Sequence, residues 1–312
     1  MNETRRAILE AIGDGPVSGP DLAEDLDISR AAVWKQIDAL REAGFEIEGG
    51  STGYELTDVA AYNAPAIEYG LEAPFSIEYH DAIGSTNDRA RELATEGASD
   101  VGVLADEQTG SRGRLKREWT APSGGVWLSI VLRPEVAPTR ASLYTLAAAV
   151  ATTRAAREAG VDARIKWPND VVVPVDNDGG YRKLAGILTE MEGETDRIEW
   201  IIPGIGVNVN IDADDLPREA TSIRAEAGDV DRRAFVQRLL EEFGRLRTDL
   251  EAVVPAWREL ALTLGQRVRV ERASDELIGE AVDVTDSGAL VVETDDGRET
   301  VSAGDCEHLR PR

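Results

Sequence analysis

Hydrophobic positions in the first part of the chain repeat at helical spacing and then alternate. Val33, Ile37 and Leu40 share one face of a helix that Ser29 opens and Gly44 stops. Two shorter helices precede it, about Thr4 to Ile12, ended near Gly13, and Pro20 to Leu26, with Ser18 and Asp21 as its capping signal. Phe45-Glu46-Ile47-Glu48 and Tyr54-Glu55-Leu56 then read as strands, joined into a hairpin by the glycine-rich run Gly49 to Gly53. Three helices and a hairpin predict a winged helix-turn-helix, with Arg30, Trp34, Lys35 and Arg41 on the other faces of its third helix.

Residues 61 to 74, with Pro65 and Pro74 among small and polar residues, read as a linker. Beyond it strands and helices mix. Phe75 to Tyr79 is a strand, Gly84-Ser85-Thr86-Asn87 opens a helix to about Glu96, and Val101 to Ala105 and Val126 to Leu132 are further strands. An alanine-rich helix, about Thr139 to Ala159, ends at Gly160. Ala163 to Lys166 is extended until Trp167-Pro168 stops it, since proline supplies no donor and biases its predecessor away from helix. Val171 to Val173 and Lys183 to Glu190 form the next hairpin around the turn formers Asp176 to Gly180, and Trp200 to Pro203 is another strand. Asp231 to Leu250 is helical; from Leu264 the chain turns to short strands, Arg267 to Val270, Ala281 to Val284 and Ala289 to Val292, a pattern that predicts a small β-barrel. The expected class is α+β in three domains: a winged helix-turn-helix (1–62), a central mixed-sheet α/β body (63–262) and a C-terminal small β-barrel (263–312).

Composition narrows the setting. Hydrophobic residues make up 42% and charged residues 30%, a globular balance, and the longest largely apolar run, Tyr144 to Ala151, is too short to span a bilayer. With no hydrophobic signal core after Met1, a cytoplasmic, non-membrane protein is expected. One cysteine, Cys306, and two histidines, His80 and His308, exclude an intrachain disulfide and a Cys/His metal cluster. The net charge of −25, from 59 acidic and 34 basic residues, resembles that of proteins adapted to a high-salt cytoplasm, and predicts a weaker fold at low ionic strength. Only Lys35, Lys116, Lys166 and Lys183 are lysine, so each is informative.

Five stretches carry candidate chemistry. Lys166-Trp167-Pro168-Asn169-Asp170 and Arg182-Lys183-Leu184-Ala185-Gly186 bring two lysines, an amide and a carboxylate to neighbouring strand ends, which suits an anion, a metal-bound phosphate and a nucleophilic amine. Gln108-Thr109-Gly110-Ser111-Arg112-Gly113-Arg114-Leu115-Lys116-Arg117 concentrates cations among glycines, as a loop around phosphate or carboxylate requires. The amides at the start of the Ser85-Thr86-Asn87 helix suit an anion or polar carbonyl; a plain helix cap is the alternative. Gly204-Ile205-Gly206-Val207-Asn208-Val209-Asn210 is no dinucleotide fingerprint, because Val209 replaces the third glycine and no helix begins there. Trp127 suits either a pocket wall or the core.

Together these motifs resemble biotin protein ligases, the bacterial and archaeal family whose bifunctional members also repress the biotin operon. The resemblance covers essentially the whole chain. It implies a reaction in which the carboxylate of biotin attacks the α-phosphate of ATP, giving biotinyl-adenylate and pyrophosphate, before a lysine of a biotin carboxyl carrier domain takes the biotin as an amide. Carried onto this sequence, it implies that Ser85, Thr86 and Asn87 contact biotin and that Gln108, Arg112, Gly113 and Arg114 belong to the loop that closes over the adenylate. It further implies that Gly186, Gly204 and Gly206 line the ligand site. Arg112, Arg114, Lys166, Lys183 and Mg²⁺ then offset the repulsion between the two anions, Asn169 helps position the phosphates or metal, and Asp170 orients the incoming amine or accepts its proton. Ser111 and Lys116 depart from the family, which has glycines there.

The resemblance also implies operator recognition by Arg30, Lys35 and Arg41, and a ligand-promoted homodimer formed through sheet edges. Against DNA binding stands the charge of residues 1–60, 13 acidic against five basic, a net of −8. Two rivals remain at this point, a lipoate-protein ligase and a biotin-sensing regulator without ligase chemistry.

Overall fold

The structure is a computed structural model, and it describes residues 1–113, 119–175, 180–272 and 275–309. The chain divides into two compact units, Met1–Glu72 and Ala73–Arg312.

In the first unit α1 (Glu3–Gly13), α2 (Gly19–Asp25) and α3 (Arg30–Glu42) precede a hairpin of β1 (Phe45–Gly50) and β2 (Gly53–Val59). Asn2, Ser18 and Ser29 each cap a helix by accepting a main-chain N–H. Val33, Ile37 and Leu40, the positions whose spacing predicted a buried face, join Ile8, Leu9, Ile12 and Leu22 in the core, closed by Phe45 and Ile47. The expected linker is structured in part: Asn63 caps α4 (Ala64–Glu68) through Ala66 N at 3.0 Å, Ala66 and Ile67 are buried, and Tyr69 packs edge-on against Phe45. A five-residue helix is too short to show periodicity, so its burial was not legible.

The second unit runs β3 (Ser76–Ile83), α5 (Thr86–Thr95), β4 (Val101–Gln108), β5 (Val126–Val131), α6 (Ser142–Glu158), β6 (Arg164–Lys166), β7 (Asp170–Val175), β8 (Gly180–Gly193) and β9 (Ile198–Val207). Helices α7 (Ile223–Ala227), α8 (Arg232–Thr248) and α9 (Val253–Leu260) follow. The seven strands form one mixed sheet ordered β3-β4-β5-β9-β8-β7-β6, in which only β3 and β4 are parallel. The alanines of α6 let it lie close against β8 and β9, and its Ala147 to Ala151 are completely buried.

The C-terminal strands are β10 (Arg267–Glu271), β11 (Glu276–Val284), β12 (Leu290–Thr294), β13 (Gly297–Val301) and β14 (Asp305–His308). They make an antiparallel sheet ordered β13-β12-β11-β10-β14. The expected closure into a barrel is not found: among the described residues no pairing joins β13 to β14. Among the described residues no helix is long and apolar enough to cross a membrane.

Candidate active site

A cleft of about 570 Å³ opens over the middle of the seven-stranded sheet. One wall is the start of α5. Ser85 caps it through Asp88 N at 3.3 Å, and Gln108 Oε1 accepts from Thr86 N at 2.7 Å and Thr86 Oγ1 at 3.0 Å. Completely buried Ser129 stands with its hydroxyl 2.8 Å from Thr86 Oγ1 and 2.6 Å from Asn87 Oδ1. Asn87 Nδ2 donates to Leu188 O at 3.3 Å and Glu190 Oε2 at 2.8 Å. Every polar atom of the Asn87 side chain is thereby engaged. Gly204 is required beside it, since a Cβ there would stand 2.0 Å from Asn87 Oδ1.

The opposite wall is the β7/β8 hairpin, and its register decides the chemistry. Asp170 pairs with Gly186 and Val171 with Ala185, but Val172 pairs with Lys183, so Leu184 is an extra residue in β8. Without that bulge Leu184 would oppose Val172 and Lys183 would face the other side of the sheet. With it, Lys183 Nζ reaches Asp170 Oδ1 at 2.7 Å and lies 5.0 Å from the centre of the Trp119 ring. Asn169 ties the turn to β8, its Nδ2 donating to Ile187 O at 2.8 Å and its carbonyl accepting from Ile187 N at 2.9 Å.

The cleft is lined by Ser85, Thr86, Asn87, Gln108, Arg112, Gly113, Asn169, Asp170, Lys183, Gly186, Gly204 and Gly206 from the five motif regions. Lys166 is not among its lining residues. Only 7% exposed, it has its Nζ 4.0 Å from Asp170 Oδ2 and 5.5 Å from the centre of the Tyr181 ring. Burial, with Asp170 adding to it, pushes the Tyr181 hydroxyl up to about 12. Arg112 Nη2 is paired with Asp88, at 2.7 and 2.9 Å from its two carboxylate oxygens. Arg114 and Lys116 lie outside the described residues.

Trp119 and Asn208 are among the lining residues to which the sequence motifs assign no role. Trp119 presents a buried indole N–H without a partner, and Asn208, 2% exposed, donates through Nδ2 to Thr221 O at 3.0 Å while its Oδ1 has no partner. A donor and an acceptor left open beside a flat ring are what a heteroaromatic ligand needs. The asparagine of the Gly-x-Gly-x-Asn strand was the available signal for Asn208. Among the described residues no group of three His, Cys, Asp or Glu side chains is arranged to hold a metal ion.

In the first unit Arg30 and Lys35 are exposed on α3, and Trp34 between them is 58% exposed. Arg41 is engaged: its Nε and Nη2 donate to Ile47 O at 3.0 and 2.7 Å, fastening α3 to the hairpin.

Comparison with known proteins agrees with this architecture. Residues 80–208 match the profile of the Biotin/lipoate A/B protein ligase family, residues 263–309 that of the Biotin protein ligase C terminal domain, and residues 4–55 that of an HTH domain. The chain is 36% identical to the bifunctional ligase/repressor BirA of Bacillus subtilis over 96% of each chain. To the Escherichia coli protein of the same name it is 31% identical over 89% of this chain and 88% of the other. The biotin protein ligase from Aquifex aeolicus, solved in complex with biotin and ATP, has the same fold: its TM-score is 0.61 at 24% identity, over 75% of this chain and 99% of that one. The chain belongs to the biotin protein ligase family, in the branch that carries an N-terminal helix-turn-helix.

Proposed function

We propose that this protein is an ATP-dependent biotin protein ligase that joins biotin to a lysine of a biotin carboxyl carrier domain and also acts as a biotin-responsive repressor. The observation that carries the reading is the Asp170–Lys183 pair at 2.7 Å, set across one cleft from the Thr86/Asn87/Gln108/Ser129 network. The network offers donors and acceptors for the cyclic urea of biotin. Lys183 offers a cation where a carboxylate and a triphosphate meet, and Arg112 supplies a second on leaving Asp88. Trp119 and Asn208 suit the adenine ring and its exocyclic amine.

The carboxylate oxygen forms a bond to the α-phosphorus, and the bond to pyrophosphate breaks. A lysine amine then attacks the activated carbonyl and AMP leaves. Asp170 orients that amine and receives its proton. Magnesium enters as part of the nucleotide substrate, where it would offset charge on the phosphates. Lys166 acts behind Asp170, holding the carboxylate's second oxygen.

The test is biotin-dependent exchange of labelled pyrophosphate into ATP in high potassium chloride, with lipoate as control. Exchange with biotin alone is expected. Exchange only with lipoate, or none with either acid in folded protein, sinks the ligase reading.

The regulatory arm rests on α3. With Arg41 fastened to the hairpin, Arg30 and Lys35 are the cations this helix offers to phosphates. Operator affinity should therefore fall with salt on a log–log slope of only about −2 per protomer, since each neutralised phosphate contributes roughly −0.9. Fluorescence anisotropy across a potassium chloride series, with biotin and ATP present, measures it. A slope several-fold steeper points to cations elsewhere, and no binding removes the repressor role. Beyond β7 the strand β8 pairs, among the described residues, only with β9, and we assign the homodimer contact to its other edge, near the exposed Met191. A cytoplasmic location accompanies these roles.

A further inference from the structure

The signature turn is gripped from behind by the segment that leads into the C-terminal sheet. Residues 261–263 run alongside β6 as an added strand, with a parallel bridge between Ala261 and Ile165 and Leu262 N donating to Ile165 O at 2.8 Å. One step on, Trp167 N donates to Thr263 Oγ1 at 2.9 Å. Lys166 thus has a hydrogen bond to this segment on each side of it. Thr263 is completely buried, and its Oγ1 lies 3.1 Å from Nε2 of His308, which β14 carries at an edge of the C-terminal sheet. Since the amide N–H donates into the threonine oxygen, the hydroxyl proton is left for the imidazole. Burial, with Lys166 nearby, depresses the His308 ring to about 4, so it is neutral and Nε2 is available as an acceptor. The same ring packs edge-on against Tyr181, centroids 5.4 Å apart, and Tyr181 in turn lies beneath the Lys166 ammonium. A further bond runs from Trp167 Nε1 to Gly288 O at 3.0 Å.

We propose that Thr263 and His308 are positioning residues for the Lys166–Asp170 turn. The inference rests on the ligase reading above. Its physical basis is the closed circuit Trp167 N–H, Thr263 hydroxyl, His308 ring, Tyr181 ring, Lys166 ammonium, which fixes both the backbone and the side chain of Lys166. Lys166 in turn holds Asp170, the partner of Lys183. A shift of a few tenths of an ångström in the turn therefore reaches the atoms that handle phosphate. The biotin wall, built from α5, β4, β5 and β9 with Leu188 and Glu190 of β8, makes no bond to Thr263 or His308 within this circuit.

The experiment measures pyrophosphate exchange against ATP concentration at saturating biotin in the full chain, together with calorimetric titration of biotin alone. Four variants are compared: Thr263→Val and His308→Phe, which break the circuit, and Thr263→Ser and His308→Gln, which keep a hydroxyl and an acceptor. The breaking variants should lose about tenfold in kcat/KM for ATP, the effect of one misplaced polar contact, while their biotin affinity stays within about twofold of wild type. The conservative variants should recover most of that loss. Normal biotin binding shows each variant to be folded, and if Thr263→Val does not fold, His308→Phe carries the comparison. Wild-type kinetics in the breaking variants, or equal losses in the conservative and breaking ones, overturns the positioning role. Absence of exchange in the wild-type protein overturns the ligase reading itself.

Discussion

Replacing Lys183 with methionine should lower the rate of biotin-dependent pyrophosphate exchange by about 10²- to 10³-fold, as loss of a cation directed at developing negative charge does elsewhere. The side chain is half-buried, 2.7 Å from Asp170 Oδ1, and two anions must approach it before the α-phosphate can be attacked. Methionine preserves most of the length of the chain and its contact with Trp119, so the change isolates the charge. The companion change, Asp170→Asn, should divide the half-reactions. Transfer from preformed adenylate to a carrier lysine should fall about 100-fold, because an amide can neither hold an ammonium nor take its proton. Exchange should fall less. Rapid-quench measurement of each half-reaction separates the two; full transfer by Asp170→Asn would remove the base role, and unimpaired exchange by Lys183→Met would remove the lysine from the chemistry.

Gly204→Ala should weaken biotin binding by about 100-fold or more, roughly 3 kcal/mol, and lower the melting temperature as well. The new Cβ would lie 2.0 Å from Asn87 Oδ1, 2.8 Å from its Cγ and 3.0 Å from its Nδ2. Asn87 has no room to yield, since Ser129, Leu188 and Glu190 hold it at both ends. Relief requires breaking a buried hydrogen bond or moving β9. Gly206 offers a control one pleat along the same strand, where a Cβ would meet Trp119 Nε1 at a milder 3.2 Å. Calorimetric titration of both variants with biotin makes the comparison; wild-type affinity in Gly204→Ala would show that Asn87 moves freely and that the wall is not rigid.

Much of this site was legible before any coordinates. A serine cap followed by Thr86-Asn87, a loop dense in arginine and glycine, and two lysines in a chain that has only four each signal their chemistry locally. The three helices and hairpin of the first unit were equally plain, because the core positions Ile8, Ile12, Val33, Ile37 and Leu40 keep the helical period. Short elements escaped. The helix α4 has one turn, and β13 and β14 are edge strands whose residues alternate weakly, with β13 exposed at four of its five positions. The open edges of the C-terminal sheet were also out of reach, because closure depends on which strands meet and not on how many there are.

What the sequence determined by itself is the inventory: which elements form, where they stop and which side chains carry charge or a hydrogen-bonding group, all of which are set by residues within a few places of one another. The tertiary structure alone decided which of those groups meet. The extra residue in β8 turns Lys183 onto the face of Asp170, and register across strands is a long-range pairing that no local pattern specifies. The parallel addition of residues 261–263 to β6 brings Thr263, and through it His308, to the backbone beside Lys166 across about a hundred residues or more of chain, and that lysine, which reads as a phosphate ligand, lies buried next to Asp170. Burial changes what a charged group can touch, and burial is a property of the packed fold.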